Sequence, residues 1–178
     1  MKRIMLLLLV LCLVPLTASA EIYRSDVCKI EITIPSAWGG SPSMIEIDPK
    51  VKNSELLNFD SVGYFLFISA GVDKDLQGNS FAQIANSEYK DMFLTEFKKM
   101  KEKAMPNTKV EQISFKKLGV YDVLYLKSSI MEEGKKSMSL EVNILQDGKM
   151  YNLILKAAQL DNQAEQQFDG LVASMKNI

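Results

Sequence analysis

The chain contains no histidine among its 178 residues. That absence excludes Ser-His-Asp and Cys-His nucleophile pairs, imidazole proton transfer near neutral pH, and every histidine-containing zinc site. Cysteine is nearly as scarce, with only Cys12 and Cys28. Cys12 lies inside an apolar leader, so a processed chain would keep one thiol and form no internal disulfide. A free cysteine packs as a small hydrophobe, and Cys28, beside the first strand pattern, is expected to be buried. Pairing between chains is the alternative in an oxidising compartment. Excess positive charge is missing too, which leaves no basic footprint for nucleic acid and no polybasic membrane patch. Tryptophan occurs once, at Trp38.

What is present begins with a leader. Lys2 and Arg3 precede thirteen apolar residues, Ile4 to Leu16, and then Thr17-Ala18-Ser19-Ala20. A basic start, an apolar run and an A-x-A end are the parts of a secretory signal peptide, with cleavage expected between Ala20 and Glu21. A membrane-spanning helix needs roughly 20 apolar residues, more than this run supplies before Pro15 interrupts it. Leu11 before Cys12 does not suit a lipid-modified cysteine. Cleavage would leave 158 residues, and losing Lys2 and Arg3 takes the net charge from −1 to −3. The expectation is a single periplasmic or secreted domain over residues 21–178, with no stable membrane anchor after cleavage.

Hydrophobic periodicity supplies the elements. Cys28 to Ile34 alternates strictly and stops at Pro35, so it reads as a half-buried strand followed by a turn-rich loop, Ser36 to Ser43. Met44 to Ile47 is a short second strand, and residues 50–61 read as loop. Gly63 to Ala70 is apolar on both faces, as in a central strand. Ser80 with Gln83 forms a capping box, and Phe81, Ile84, Ala85, Met92, Phe93, Phe97, Met100 and Ala104 continue at helical spacing up to Pro106. Strands are then expected over 110–115, 120–130, 137–145 and 150–157. Glu133-Gly134 and Asp147-Gly148 would close two of their hairpins. Asn162 to Glu165 reads as a second capping box, opening a helix that runs through Phe168, Leu171, Val172 and Met175. Strands and helices are segregated rather than alternating, which gives an α+β fold. It is an antiparallel meander packed by one long central helix and a C-terminal helix.

The strand ending Ile32-Thr33-Ile34-Pro35, followed by Trp38, resembles the opening of PsbP-like domains. The capped helix, meander and terminal helix follow in that family's order over most of the chain. The resemblance, which extends to DcrB-like bacterial envelope proteins, implies an α/β/α sandwich. It also implies an adaptor or assembly role rather than catalysis, and it carries over no functional residue.

Several motifs invite chemistry. Asp73, Asp75 and Gly78 match the first half of a calcium loop, but the twelfth position is Ile84 where a bidentate Glu belongs. The residues are better explained as turn formers feeding the Ser80 cap, and no metal or cofactor is expected. Ser87-x-x-Lys90 and Ser114-x-x-Lys117 lack the companion motifs of penicillin-binding enzymes. The run Lys98 to Lys103 reads as the solvated end of a helix, with Met100 in the core stripe. No constellation supports a hydrolase built on carboxylates, Ser and Lys.

The expectation is therefore a non-catalytic envelope module that contacts another protein through loops at one sheet edge. Trp38, Gly39, Gly40, Tyr64, Tyr121 and Tyr125 are the candidate contact residues, with Trp38 as a plug in the core as the competing role. The second reading is a carrier for a small apolar ligand held between the sheet and the long helix, motivated by ten methionines and eight phenylalanines.

Overall fold

The computed structural model describes residues 20–47, 51–72, 77–146 and 148–178. Ten strands and three α-helices follow one another in the described residues. The N-terminal strands are β1 (Glu21–Ser25), β2 (Ile30–Ile34), β3 (Ser43–Ile45), β4 (Ser54–Phe59) and β5 (Tyr64–Val72), with a 3-10 turn at Ser36–Trp38 after β2. Helices α1 (Phe81–Ala85) and α2 (Lys90–Ala104) come next. The meander is β6 (Thr108–Leu118), β7 (Tyr121–Glu132), β8 (Lys135–Gln146) and β9 (Lys149–Ala157), followed by α3 (Asn162–Ala173) and β10 (Lys176–Asn177).

Seven strands form one antiparallel sheet in the order β3-β4-β5-β9-β8-β7-β6. After β5 the chain crosses by way of α1 and α2 to the far edge, and the meander then returns until β9 pairs with β5. Glu133 and Gly134 both adopt positive φ between β7 and β8, the conformation of a tight hairpin turn. The turn expected at Asp147-Gly148 has its first residue outside the described set. A second sheet, β1-β2-β10, lies with α3 on one face of the large sheet. The α+β antiparallel architecture is the one the periodicity predicts, with this small sheet added to the C-terminal helix layer.

Alternation divides the large sheet cleanly. Leu66, Ile68, Val123, Tyr125, Leu140, Val142, Leu153 and Leu155 point to the main core, where they meet Ile30, Ile32, Ile34, Phe168, Leu171 and Val172. Val110, Leu124, Leu126 and Leu145 point the other way and pack with Phe81, Phe93, Phe97 and Phe115. Trp38 closes the main core. It is fully buried, meets Phe59 and Tyr64 edge-on at 5.0 and 5.4 Å, and donates from Nε1 to Gln167 Oε1 at 2.8 Å. Gly39 follows at φ +78, and a Cβ there would strike the Ser61 side chain, whose Oγ donates to Trp38 O at 2.6 Å.

Several expectations need correction. Strands β1, β4 and β10 fall where no strand was expected. Cys28 and Lys29 precede β2 in a turn, with Lys29 at φ 59. The long helix is broken after Ala85, because Asn86 Nδ2 donates to Ala82 O and Ser87 Oγ to Ile84 O, satisfying carbonyls that would continue the helix. Within α2 the side turned to the sheet is the stripe Phe93, Leu94, Phe97 and Lys101, so Met92 and Met100 are exposed at 60% and 58%, and Ala104 is exposed as well. Met100 therefore lies outside the core stripe. The cap of α3 is Asp161 rather than Asn162, with Asp161 Oδ1 accepting from Ala164 N at 2.8 Å.

Charge also docks α3 on the sheet. Glu165 accepts from Lys116 Nζ at 3.2 Å and from Lys127 Nζ at 3.1 Å, and Lys116 also lies 3.5 Å from Asp169. Lys116 Nζ sits 3.3 Å above the centre of the Tyr125 ring. The buried Tyr125 hydroxyl completes no hydrogen bond of ordinary geometry among the described residues, yet it is near enough to Glu165 to favour its carboxylate. Burial alone would raise the Glu165 pKa, but Tyr125, Lys127 and Lys116 outweigh it and hold the group down at about 2. Burial pushes Asp169 upward, with Lys116 opposing.

Two outcomes are expected. Trp38→Ala should cost about 3–5 kcal/mol in urea unfolding, and a loss below about 1 kcal/mol would show that Trp38 does not close the core. Because the Glu165 pKa is depressed on folding, its contribution is present above pH 4.5 and is lost as pH falls toward about 2. Glu165→Gln should lose roughly 1–2 kcal/mol at neutral pH, with the deficit shrinking through that acid window. A deficit that stays constant with pH would contradict the assignment.

Candidate functional site

The six residues marked as a contact surface are mostly interior. Trp38 and Tyr125 are fully buried, and Tyr121 is buried with its hydroxyl donating to Met175 O at 2.9 Å. Burial raises the pKa of Tyr121 and Tyr64, the latter with help from Asp161. Tyr64 is half-buried against Trp38, while Tyr121 and Tyr125 enter the same core from β7. Only Gly39 and Gly40 of the set are fully at the surface. Their aromatic neighbours hold the turn in place from within.

The other motifs separate in the same way. Residues 73–76, which carry Asp73 and Asp75, lie outside the described set. Among the described residues no group of three or more His, Cys, Asp or Glu side chains could hold a metal ion. Ser87 is occupied in ending α1. Cys28 is buried, its Sγ facing Asn53 O at 3.4 Å and Ile68 O at 3.7 Å, and burial raises its pKa. That environment suits packing and opposes thiolate chemistry.

A different place has the form of a binding site. On the helix-covered face of the large sheet, α1 contacts β7 and α2 contacts β6, so the aromatic cluster of Phe81, Phe93, Phe97 and Phe115 lies over that half. Beyond it the same face continues across β9, β5 and β4, where among the described residues no helix lies above the apolar side chains. Leu56, Phe67 and Ile154 occupy one cross-strand row and are half-buried, and Phe65 is 40% exposed. Met105, just past the end of α2, and Ile130 close the side. Together they bound a groove of about 420 Å³, the size of a small-molecule pocket.

The polar part of the groove is equally organised. Ser128 and Ser139 lie directly opposite each other on β7 and β8, and Thr108 at the start of β6 completes that end. Glu141 is 6% exposed and bonds Lys101 Nζ at 2.7 Å. Its other oxygen accepts from Asn143 Nδ2 at 3.1 Å and Asn152 Nδ2 at 3.0 Å, and Asn152 also donates to Asn143 Oδ1 at 2.9 Å. Such a carboxylate tolerates burial because its acceptor sites are filled. At the mouth, Lys156 Nζ pairs with Glu132 at 2.6 Å. Glu102 Oε1 accepts from Val110 N at 2.9 Å, tying the end of α2 to the bulge between Val110 and Gln112.

Sequence reasoning missed this site because Ser139, Glu141 and Asn143 alternate with apolar residues and read as a solvated face. One signal was available. Phe93, Phe97, Lys101 and Met105 follow at i+4 spacing, which places a lysine inside an apolar stripe and asks for a buried partner.

No family model matches the sequence, and the search of curated proteins finds no relative. Among solved structures, the chain is similar to cyanobacterial PsbP (CyanoP) from Synechocystis sp. PCC 6803. The TM-score is 0.63 at 12% identity, over 90% of this chain and 94% of that one. A crystal structure from Bacteroides thetaiotaomicron VPI-5482 is similar at a TM-score of 0.58 and 15% identity, covering 89% of this chain. This chain spans only 48% of that protein's length. Identities this low establish a common architecture and leave ligands and partners open. The fold is PsbP-like.

Proposed function

We propose that this protein is an exported, non-catalytic binding module of the cell envelope that holds a small, largely apolar ligand in the groove beside α2. The observation that carries this reading is the uncovered row of Leu56, Phe67 and Ile154, continued by Phe65 and closed by Met105. Apolar side chains that lie together at the surface, rather than singly, mark a binding region. Here they form a concavity rather than a flat patch, which favours a small molecule. The leader-like start of the chain supports export, and residues 21–178 would then act as one domain.

Contact with another envelope protein is the second reading. Burial of Trp38, Tyr121 and Tyr125 removes its aromatic anchors at the sheet edge. What favours it instead is the outward side of α2, where Tyr89, Met92 and Met100 are exposed.

The purified protein should bind the neutral apolar dye N-phenylnaphthylamine saturably, with a rise in its fluorescence. Phe65→Asp, which places a charge at a position already partly exposed, should weaken that binding by about tenfold or more. Absence of saturable binding, or an unchanged affinity in Phe65→Asp, would remove the groove as the site.

A further inference from the structure

Building on the groove as the binding site, we infer that its ligand is an amphiphile with an anionic oxygen head, a carboxylate or a phosphate monoester. The head lies against Ser128, Ser139 and Lys156, and the apolar body lies over Phe65, Phe67 and Ile154.

Strand pairing lines these groups up. Ser128 on β7 faces Ser139 on β8, Ser139 faces Lys156 on β9, and Lys156 faces Phe65 on β5. All four line the groove. Adjacent strands are about 4.8 Å apart, so the two serines and the lysine rise from the floor within about 10 Å of one another. In the next row of the same face, Glu141 gives way to Ile154, Phe67 and Leu56. Lys156 therefore stands where the polar part of the floor meets the apolar part. Its ammonium meets Glu132 of β7 at 2.6 Å, so the pair reaches across β8, toward the serines' strands and away from Phe65.

The groups left free here are donors. The Ser128 and Ser139 hydroxyls have no hydrogen-bond partner among the described residues, and neither is sealed from solvent, so both open onto the groove. Lys156 Nζ gives one N–H to Glu132 and keeps two. The two side chains are 33% and 59% exposed, and a pair so open to water holds its partners weakly. The buried acceptor is committed by contrast. Glu141 is 6% exposed and already takes Lys101, Asn143 and Asn152. An anionic head uses the free donors, gains a charge-assisted bond from Lys156, and leaves the buried Lys101–Glu141 pair intact. Glu132 opposes it, but that side chain lies at the rim, where water can receive its charge.

The test displaces N-phenylnaphthylamine from the purified protein with four ten-carbon ligands, each below its micelle-forming concentration. They are decanoate, decyl phosphate, decanol and decyltrimethylammonium. The better of the two anions should compete at least about tenfold more tightly than decyltrimethylammonium, and which anion it is identifies the head. Lys156→Met, which keeps the apolar stem and removes the ammonium, should weaken that anion about five- to tenfold, with dye and decanol changed by less than about twofold. Glu132→Gln, which frees the ammonium of its partner, should tighten the same anion about two- to fivefold. Decyltrimethylammonium binding as tightly as both anions, or anion affinity unchanged in Lys156→Met, would overturn the anionic head and leave the groove in place. So would a loss in Lys156→Met that decanol shares equally, or a weaker anion in Glu132→Gln. Dye binding that ignores Phe65→Asp would instead remove the site itself.

Discussion

A seven-stranded sheet presents two faces to water, and this chain covers them unequally. At about 4.8 Å per strand the sheet is roughly 30 Å wide, whereas a helix with its side chains is about 10 Å across. On one face the small sheet β1-β2-β10 and α3 share the work, and Trp38 seals the end. On the other, α1 and α2 lie over β6 and β7, and among the described residues no helix covers β9, β5 and β4. The groove is the boundary between the covered and uncovered halves.

The end of α2 defines that boundary. Phe93 stacks on Phe115 and meets Phe97, Lys101 reaches down to Glu141, and Glu102 holds the backbone of Val110. These contacts fix where the helix stops and so where the groove begins. No residue of α2 is fully buried, in contrast to α3, which buries Ala164, Phe168, Leu171 and Val172. The helix beside the groove is therefore held by fewer buried apolar contacts than the helix behind the sheet. That is the usual distribution between a binding region and a structural one.

Much of this was legible in the sequence. The alternation of Met138, Leu140, Val142 and Ile144, and the doubly apolar run through Gly63 to Ala70, give strands whose places in the sheet follow the pattern. Strand β4 was hidden because adjacent Leu56 and Leu57 serve opposite faces and show no period among their polar neighbours. The break in the long helix depends on the side chains of Asn86 and Ser87 bonding their own backbone, which no hydrophobic period registers. Glu141 and Asn143 misled for a related reason. A polar residue on a strand reads as solvated until the element that crosses above it is known, and here that element is Lys101 of α2. The contact residues read from Trp38 and the tyrosines followed composition, and in the fold those rings support the core.

Two roles thus divide between the faces. The face that carries Trp38, Tyr125 and the Glu165 ion pairs builds stability, and the face that ends α2 presents a matched set of charges beside a half-buried apolar row. The architecture accommodates this because the seven-stranded sheet is wider than the helices laid on it. The most direct measurement of this division is amide NMR of the protein titrated with decanol. The account predicts shifts concentrated at Leu56, Phe67, Ser128, Ser139 and Ile154, with Gly39, Gly40 and α3 unmoved. Shifts centred on the Gly39-Gly40 turn or on the outer side of α2 would contradict it.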